Sequence, residues 1–254
     1  MKRKINLSRS RLLWAIICLF LLLPAAFGQR SRLQISINKS EKISLRAEKV
    51  STNELAAELS RQLKIPVVLS GIMRDKIVNL TFRNLPLEEA AHSLAPHVRV
   101  DYVLMQNENG AAVMRPLAIY LSGYNEKEPT TVQSMETESQ AIVIEGNTET
   151  LDEAADKGSL KISFDDNRLT VLARRQNLSF VVSEIAARAN LEFDLRYDTD
   201  KLVDVEIQDK PLTEALVRLS PYVRVYLRKD LLTAKTTAFR VALTESNYPI
   251  TMTK

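Results

Sequence analysis

Leu94-Ala-Pro-His-Val-Arg-Val100 and Leu219-Ser-Pro-Tyr-Val-Arg-Val225 are two versions of one segment, and the fold follows from their presence in the same chain. A second pair of anchors lies upstream, Leu33-Gln-Ile-Ser-Ile37 and Leu160-Lys-Ile-Ser-Phe164. Between the anchors the apolar positions correspond, and the offset drifts only from 127 to 125. A duplicated unit of about 90 residues is long enough to bury its own core. It is too long for a solenoid repeat, which typically runs about 20–50 residues. The expectation is an α+β protein of two tandem small domains, residues 29–125 and 159–254, joined by a segment at 126–158.

Each copy reads as a β-sheet with two packed helices, in the order ββαββαβ. In the first copy, Leu33–Ile37 and Ile43–Ala47 alternate apolar and polar residues around a polar turn, which predicts a hairpin. Ser51-Thr-Asn-Glu54 has the form of a capping box, and Leu55, Leu59 and Leu63 follow at helical spacing. Val67–Leu69 and Val78–Phe82 read as short strands. Pro86 then opens a second helix with Leu87, Ala90, Ala91 and Leu94 on one face. Val98–Met105 and Leu117–Leu121 read as closing strands. The second copy repeats these elements, with Asn177 as cap, Val181, Ile185 and Ala189 as the first stripe, and Leu212, Ala215, Leu216 and Leu219 as the second. Phe180 replaces the glutamate of the capping box there.

The ends and the charge bound the class of protein. Lys2, Arg3, Lys4, Arg9 and Arg11 precede an apolar run from Leu12 to Leu23, and Ala26-Phe-Gly28 supplies small residues before Gln29. This is the order of a secretory signal peptide occupying residues 1–28. Its apolar run is short of the roughly 20 residues that span a bilayer. The full chain carries 35 basic and 31 acidic residues, a net charge of +4. Loss of five basic residues with the signal leaves 30 against 31, a net of −1, and no bulk electrostatic drive toward nucleic acid. The one cysteine, Cys18, leaves with the signal, so stability is expected from apolar cores rather than disulfides. Between 126 and 158 there are nine acidic residues against two lysines, which predicts an exposed tether. Gln140-Ala-Ile-Val-Ile144 interrupts it, and Ile142, Val143 and Ile144 read either as an edge strand on one of the domains or as an adhesive stretch for a partner.

The order of these segments resembles the short N-terminal (STN) domain shared by secretins and TonB-dependent receptors. The resemblance rests on Ile43-Ser-Leu45, Glu54-Leu-Ala-Ala-Glu-Leu-Ser-Arg-Gln-Leu63, Val67-Val-Leu69 and Val78-Asn-Leu-Thr-Phe-Arg-Asn-Leu-Pro-Leu-Glu-Glu-Ala90, with Lys210-Pro-Leu-Thr-Glu-Ala215 in the second copy. It departs from the family where a glycine–leucine turn usually follows each helix, since Pro96-His-Val98 and Pro221-Tyr-Val223 stand there. In both parent families the domain is attached to a membrane β-barrel, whereas about a dozen residues follow Leu243 here. The resemblance therefore implies a periplasmic interaction domain of a Gram-negative envelope rather than a pore. Its implied partner is an envelope protein such as a secretin, a TonB-dependent receptor or a pilus component.

Chemistry-bearing patterns are sparse. His92 and His97 are the only histidines and have no counterpart in the copy, where Val217 and Tyr222 stand. Glu88/Glu89 and Asp152/Glu153 are adjacent pairs that point apart on a helix, and they read as solvated charge. No glycine-rich phosphate loop or nucleophile elbow is present, and no cofactor is expected. Arg99 and Arg224 recur in both copies. They read either as matched contacts to an acidic partner or to the acidic segment, or as outward-facing arginines whose stems cover apolar surface. The expected function is a non-enzymatic adaptor that binds by strand addition or through a groove between helix and sheet. The alternative is a binder of cell-wall glycan or a small envelope ligand, for which Tyr102, Tyr120, Tyr124, Tyr197 and Tyr222 are the available material. N-terminal sequencing of the exported protein is expected to begin at Gln29; a first residue upstream of Leu23 would overturn the cleavage.

Overall fold

The computed structural model describes residues 32–124, 126, 159–197 and 201–245. The first half runs β1 (Leu33–Ile37), β2 (Ile43–Ser51), α1 (Thr52–Leu63), β3 (Val67–Leu69), β4 (Ile77–Leu85), α2 (Leu87–His92), β5 (His97–Gln106) and β6 (Ala112–Ser122). The second runs β7 (Leu160–Asp165), β8 (Arg168–Asn177), α3 (Leu178–Arg188), β9 (Glu192–Leu195), β10 (Leu202–Pro211), α4 (Leu212–Leu219), β11 (Val223–Asp230) and β12 (Thr236–Leu243). The fold is mixed α+β, with four helices among the described residues. Each half carries one strand more than the ββαββαβ order, because β5 and β11 each turn back in a hairpin. Asn107 Oδ1 accepts from the amides of Asn109 and Ala111 in the first turn, and Asp230 Oδ1 accepts from those of Leu232 and Thr233 in the second.

Local signals place the helices as read. Ser51 caps α1 by accepting from the Glu54 amide at 3.1 Å, and Asn177 caps α3 by accepting from Ser179 at 2.8 Å. Pro86 and Pro211 precede the first turns of α2 and α4. In α4, Leu212, Ala215, Leu216 and Leu219 are all buried. Burying a leucine side chain contributes about 1.5–3 kcal/mol, so this eight-residue helix is held by packing rather than by its own hydrogen bonds.

The duplication extends to backbone exceptions. Lys49 and Arg175 both have positive φ, and so do Asn84 and Asp209. Each of these residues sits at a register shift between the long strands of its half, β2 with β4 or β8 with β10. The amides freed there are taken up by equivalent acceptors. Lys49 N donates to Asn79 Oδ1 and Arg175 N to Asp204 Oδ1; Asn84 N donates to Ser44 Oγ and Asp209 N to Thr170 Oγ1. These are β-bulges, which bend a strand and fix its register.

The two halves share one sheet. Two three-stranded sheets, β1-β2-β4 and β10-β8-β7, flank a six-stranded sheet in the order β3-β6-β5-β11-β12-β9. Its centre is the antiparallel pairing of β5 with β11, in which Tyr102 partners Leu227. With an offset of 125 in this region these two residues are counterparts, so the pairing has a local two-fold relation. The main core spans the junction, with Val98, Val100 and Tyr102 from β5 and Val223, Val225 and Leu227 from β11 beneath Ala91, Leu216 and Val217. A smaller cluster around Leu45, Val50, Leu55 and Leu59 joins α1 to the first three-stranded sheet.

The other face of the six-stranded sheet carries charge. Asp101 has a 1 % exposed side chain and receives Arg228 in two bonds, Nε to Oδ1 at 3.0 Å and Nη2 to Oδ2 at 3.1 Å. Asp101 and Arg228 are direct cross-strand partners between the halves. Removing one member of such a pair leaves a buried charge without its partner. Asp101→Ala is therefore expected to destabilise the protein by about 2–4 kcal/mol. Urea unfolding is the measurement, and a loss under about 0.5 kcal/mol would show that the pair is dispensable.

Candidate interaction site

The strand that ends the six-stranded sheet in the first half is short, apolar and open on one side. β3 is Val67-Val-Leu69 and pairs in parallel with Ile119–Leu121 of β6. Ile119 N donates to Pro66 O and Ser70 N donates to Leu121 O, both at 3.0 Å. Main-chain groups alternate sides along a strand, so residues 66, 68 and 70 address β6. The amides and carbonyls of Val67 and Leu69 point the other way. Among the described residues no strand pairs with that edge.

Helix α1 leaves room beside it. Ala56, Ala57 and Ser60 are small, and they line an open groove of about 490 Å³ with Asn53, Val67, Val68, Leu69 and Arg74. The groove exists because the helix ends in a left-handed residue, Lys64 at φ 58°, which turns the chain back along the helix into β3. The next loop is braced by Glu126, whose carboxylate accepts from Ser70 Oγ, from Ile72 N at 2.6 Å and from Gly123 N at 3.0 Å. Desolvation pushes the pKa of Glu126 up, but these bonds outweigh it and hold the group below its ordinary value.

The corresponding edge in the second half is guarded. β9 reads Glu192-Phe-Asp-Leu195. Glu192 is paired with Arg240 at 2.8 Å, and Asp194 with Arg196 at 2.7 Å. Charge on an edge strand discourages the addition of another strand. Of the two ends of the sheet, only β3 is free of charged side chains.

A second polar cluster sits between the halves. Glu88 at the start of α2 accepts from Tyr102 Oη at 2.8 Å and from Lys229 Nζ at 2.8 and 2.7 Å. Glu88 and Lys229, with Glu89, His92, Leu231 and Ala234, line a cleft of about 330 Å³. Burial and the bond to Glu88 raise the pKa of Tyr102. Close by, His97 Nε2 lies 3.1 Å from Asp230 Oδ2. Desolvation pushes Asp230 up, while the His97 contact and the amides of Thr233 and Leu232 bring it below its usual value. Both clusters fasten one half to the other. Among the described residues no group of three or more His, Cys, Asp or Glu is placed to hold a metal ion.

The residues singled out from the sequence are dispersed. Arg99 and Arg224 are 5 % and 3 % exposed, so the outward-facing arginine is corrected. Alternation does turn them away from the helices, but the face that receives them is itself buried. Arg99 lies over the Tyr120 ring at 4.9 Å, and Arg224 Nη1 donates to the carbonyls of Pro221 and Val223. Burial lowers the pKa of both guanidinium groups. Ile142, Val143 and Ile144 lie outside the described residues, as does most of the expected tether. Tyr102 and Tyr120 are buried on opposite faces of the sheet, Tyr124 is 75 % exposed, and only Tyr197 and Tyr222 are neighbours, at 5.5 Å. Sequence reading passed over Ala56, Ala57 and Ser60, although three small residues on one helix followed by an uncharged strand were visible.

No family model matches this chain, and no curated protein or solved structure matches it.

The clasp at Glu88 carries a pH signature. Desolvation raises its pKa, and the bonds from Lys229 and Tyr102 more than offset this, so the folded value lies below the ordinary one. A depressed carboxylate contributes stability above its unfolded pKa of about 4.3 and loses it as pH falls through the folded value. Glu88→Gln is expected to cost on the order of 1 kcal/mol at pH 7. The difference should shrink below about pH 4. Urea midpoints compared across that range are the check, and a pH-independent difference would exclude the linkage.

Proposed function

We propose that this chain is a non-enzymatic periplasmic adaptor built from two STN-like copies, and that the open edge of β3 beside α1 receives an extended segment of an envelope protein. A secretin, a TonB-dependent receptor or a pilus component is the kind of partner the resemblance implies. The observation that carries the reading is the groove itself. Two outward amides and two outward carbonyls on β3 offer main-chain bonds, while the small side chains of Ala56, Ala57 and Ser60 leave space for alternate side chains of an added strand. The guarded edge of β9 supports the first copy as the binding one in this reading. In this reading the second copy supplies the other half of the central sheet.

A second reading, a binder of glycan or a small envelope ligand, draws on one observation. Tyr197 and Tyr222 form a tilted pair with the Lys201 ammonium 5.6 Å from the Tyr222 ring. Aromatic faces of this kind can stack on sugars, but the other tyrosines do not join them.

The two readings separate in one experiment. A photo-crosslinking residue is placed at Arg74, on the exposed rim of the groove, or at Lys161 as a distant control, in cells of the native organism. The expected result is an adduct with an envelope protein from position 74 alone, lost in Ala57→Arg, which fills the groove without touching the core. An adduct that survives Ala57→Arg, or none at all, would reject the groove and turn attention to glycan binding at Tyr197 and Tyr222.

A further inference from the structure

The groove beside β3 carries its charge at one end. Asn53, Ala56, Ala57 and Ser60 share one face of α1 at i, i+3, i+4 and i+7, and neither Glu54 nor Glu58 lines the groove. The chain turns back from α1 into β3 at Lys64, so Ser60 lies toward Val67 and Asn53 toward Leu69. Arg74 is the one charged residue in the lining, and it stands at the Leu69 end. The loop that carries it is fixed to the first turn of α1 by three bonds. Thr52 N donates to Lys76 O at 2.8 Å, Thr52 Oγ1 to Met73 O, and Asn53 Nδ2 to Asp75 Oδ1 at 2.5 Å. The last of these engages Asp75, the neighbouring carboxylate. Among the described residues the Arg74 guanidinium makes no hydrogen bond or ion pair.

The strand itself does little to align an added segment. β3 has three residues, all apolar. A slip of one residue turns the side chains of an added strand to the other face. A slip of two keeps the faces and moves each side chain by about 7 Å. Two valines and a leucine discriminate weakly between such registers. We propose, resting on the groove reading above, that the bound segment carries an aspartate or glutamate whose carboxylate meets Arg74, and that this ion pair fixes its register on β3.

Charge complementarity of this kind selects partner and orientation more than it adds affinity. The second copy supplies the contrast. Ile72-Met-Arg-Asp-Lys76 carries two basic residues and one acidic. Its counterpart at the offset of 125, Tyr197-Asp-Thr-Asp-Lys201, carries two acidic residues and one basic. The copies therefore differ in charge at this loop as they do along the edge strand, where β9 bears Glu192 and Asp194. A carboxylate is favoured at the first loop and disfavoured at the second. The pair with Arg74 lies on an exposed rim, so its energy is small and its effect is mainly one of selection.

The test selects binders to the immobilised full chain from a phage library of random nine-residue peptides. Peptides whose binding is lost in Ala57→Arg are kept as groove-dependent. These are expected to carry aspartate or glutamate at one fixed spacing from two alternate apolar residues. Arg74→Glu should weaken them about fivefold, whereas Arg74→Lys, which keeps the charge, should retain most of the binding. Reselection on Arg74→Glu should place lysine or arginine at the same peptide position. Arg74 is exposed, and thermal melts matching the parent check that each variant is folded. Groove-dependent peptides with no acidic position, or with an acid indifferent to Arg74→Glu, would overturn the inference and leave the groove standing. Recovery of no groove-dependent peptide would remove the groove reading, and the inference with it.

Discussion

The pairing of β5 with β11 is the constraint on which the rest of the molecule depends. Without it each half has a sheet of three strands, β3-β6-β5 or β11-β12-β9, with a long central strand left as an edge. With it, both strands are interior, and hydrophobic side chains from the two halves form one core over Val100 and Val225. The polar contacts near the seam follow the same line. Asp101 with Arg228, His97 with Asp230, Glu88 with Lys229, and Gln106 Nε2 with Val217 O all join residues more than a hundred positions apart. Several of these groups are mostly buried, so their bonds are stronger than surface pairs and their loss more costly.

This arrangement also sets where a further strand could be added to the sheet. A sheet of six strands has two ends, and duplication alone would make both equally adhesive. The two copies have diverged at that point. Val67-Val-Leu69 lies beside Ala56, Ala57 and Ser60 of α1, whereas Glu192-Phe-Asp-Leu195 carries its own ion pairs. The asymmetry turns a pseudo-symmetric body into one with a preferred edge.

Much of the fold was legible because apolar periodicity and caps are local. The stripe Leu212, Ala215, Leu216, Leu219 is buried as read, and Ser51 and Asn177 cap the helices that their positions announced. The union of the halves was not legible, because strand partners are chosen by long-range packing. His-Val-Arg-Val-Asp-Tyr-Val at 97–103 alternates too little to show which face is covered, since both faces of β5 are buried. That is also why Arg99 and Arg224 were misplaced. An arginine on a strand normally reaches solvent, and only a charged, aromatic face buried in its own right makes the exception. The groove escaped notice for a different reason. Small side chains carry no chemical signature, and they acquire meaning only when a helix and an unpaired edge come together around them.

The counterpart pairing of Tyr102 with Leu227 has a consequence for how the chain is made. The first half is synthesised before its partner strand exists, and β5 must wait as an exposed edge until β11 emerges, 125 residues later. Long-range pairing of this kind is slow to form. During the wait, β5 of one chain fits β11 of a neighbour in the same register as its own. Two crowded nascent chains can therefore exchange halves without altering a single hydrogen bond of the sheet. The barrier to such swapping is not geometry but concentration, the tethered strand against the foreign one. Duplication has given this protein a seam that closes within one molecule or between two, and dilution of the chains favours the first.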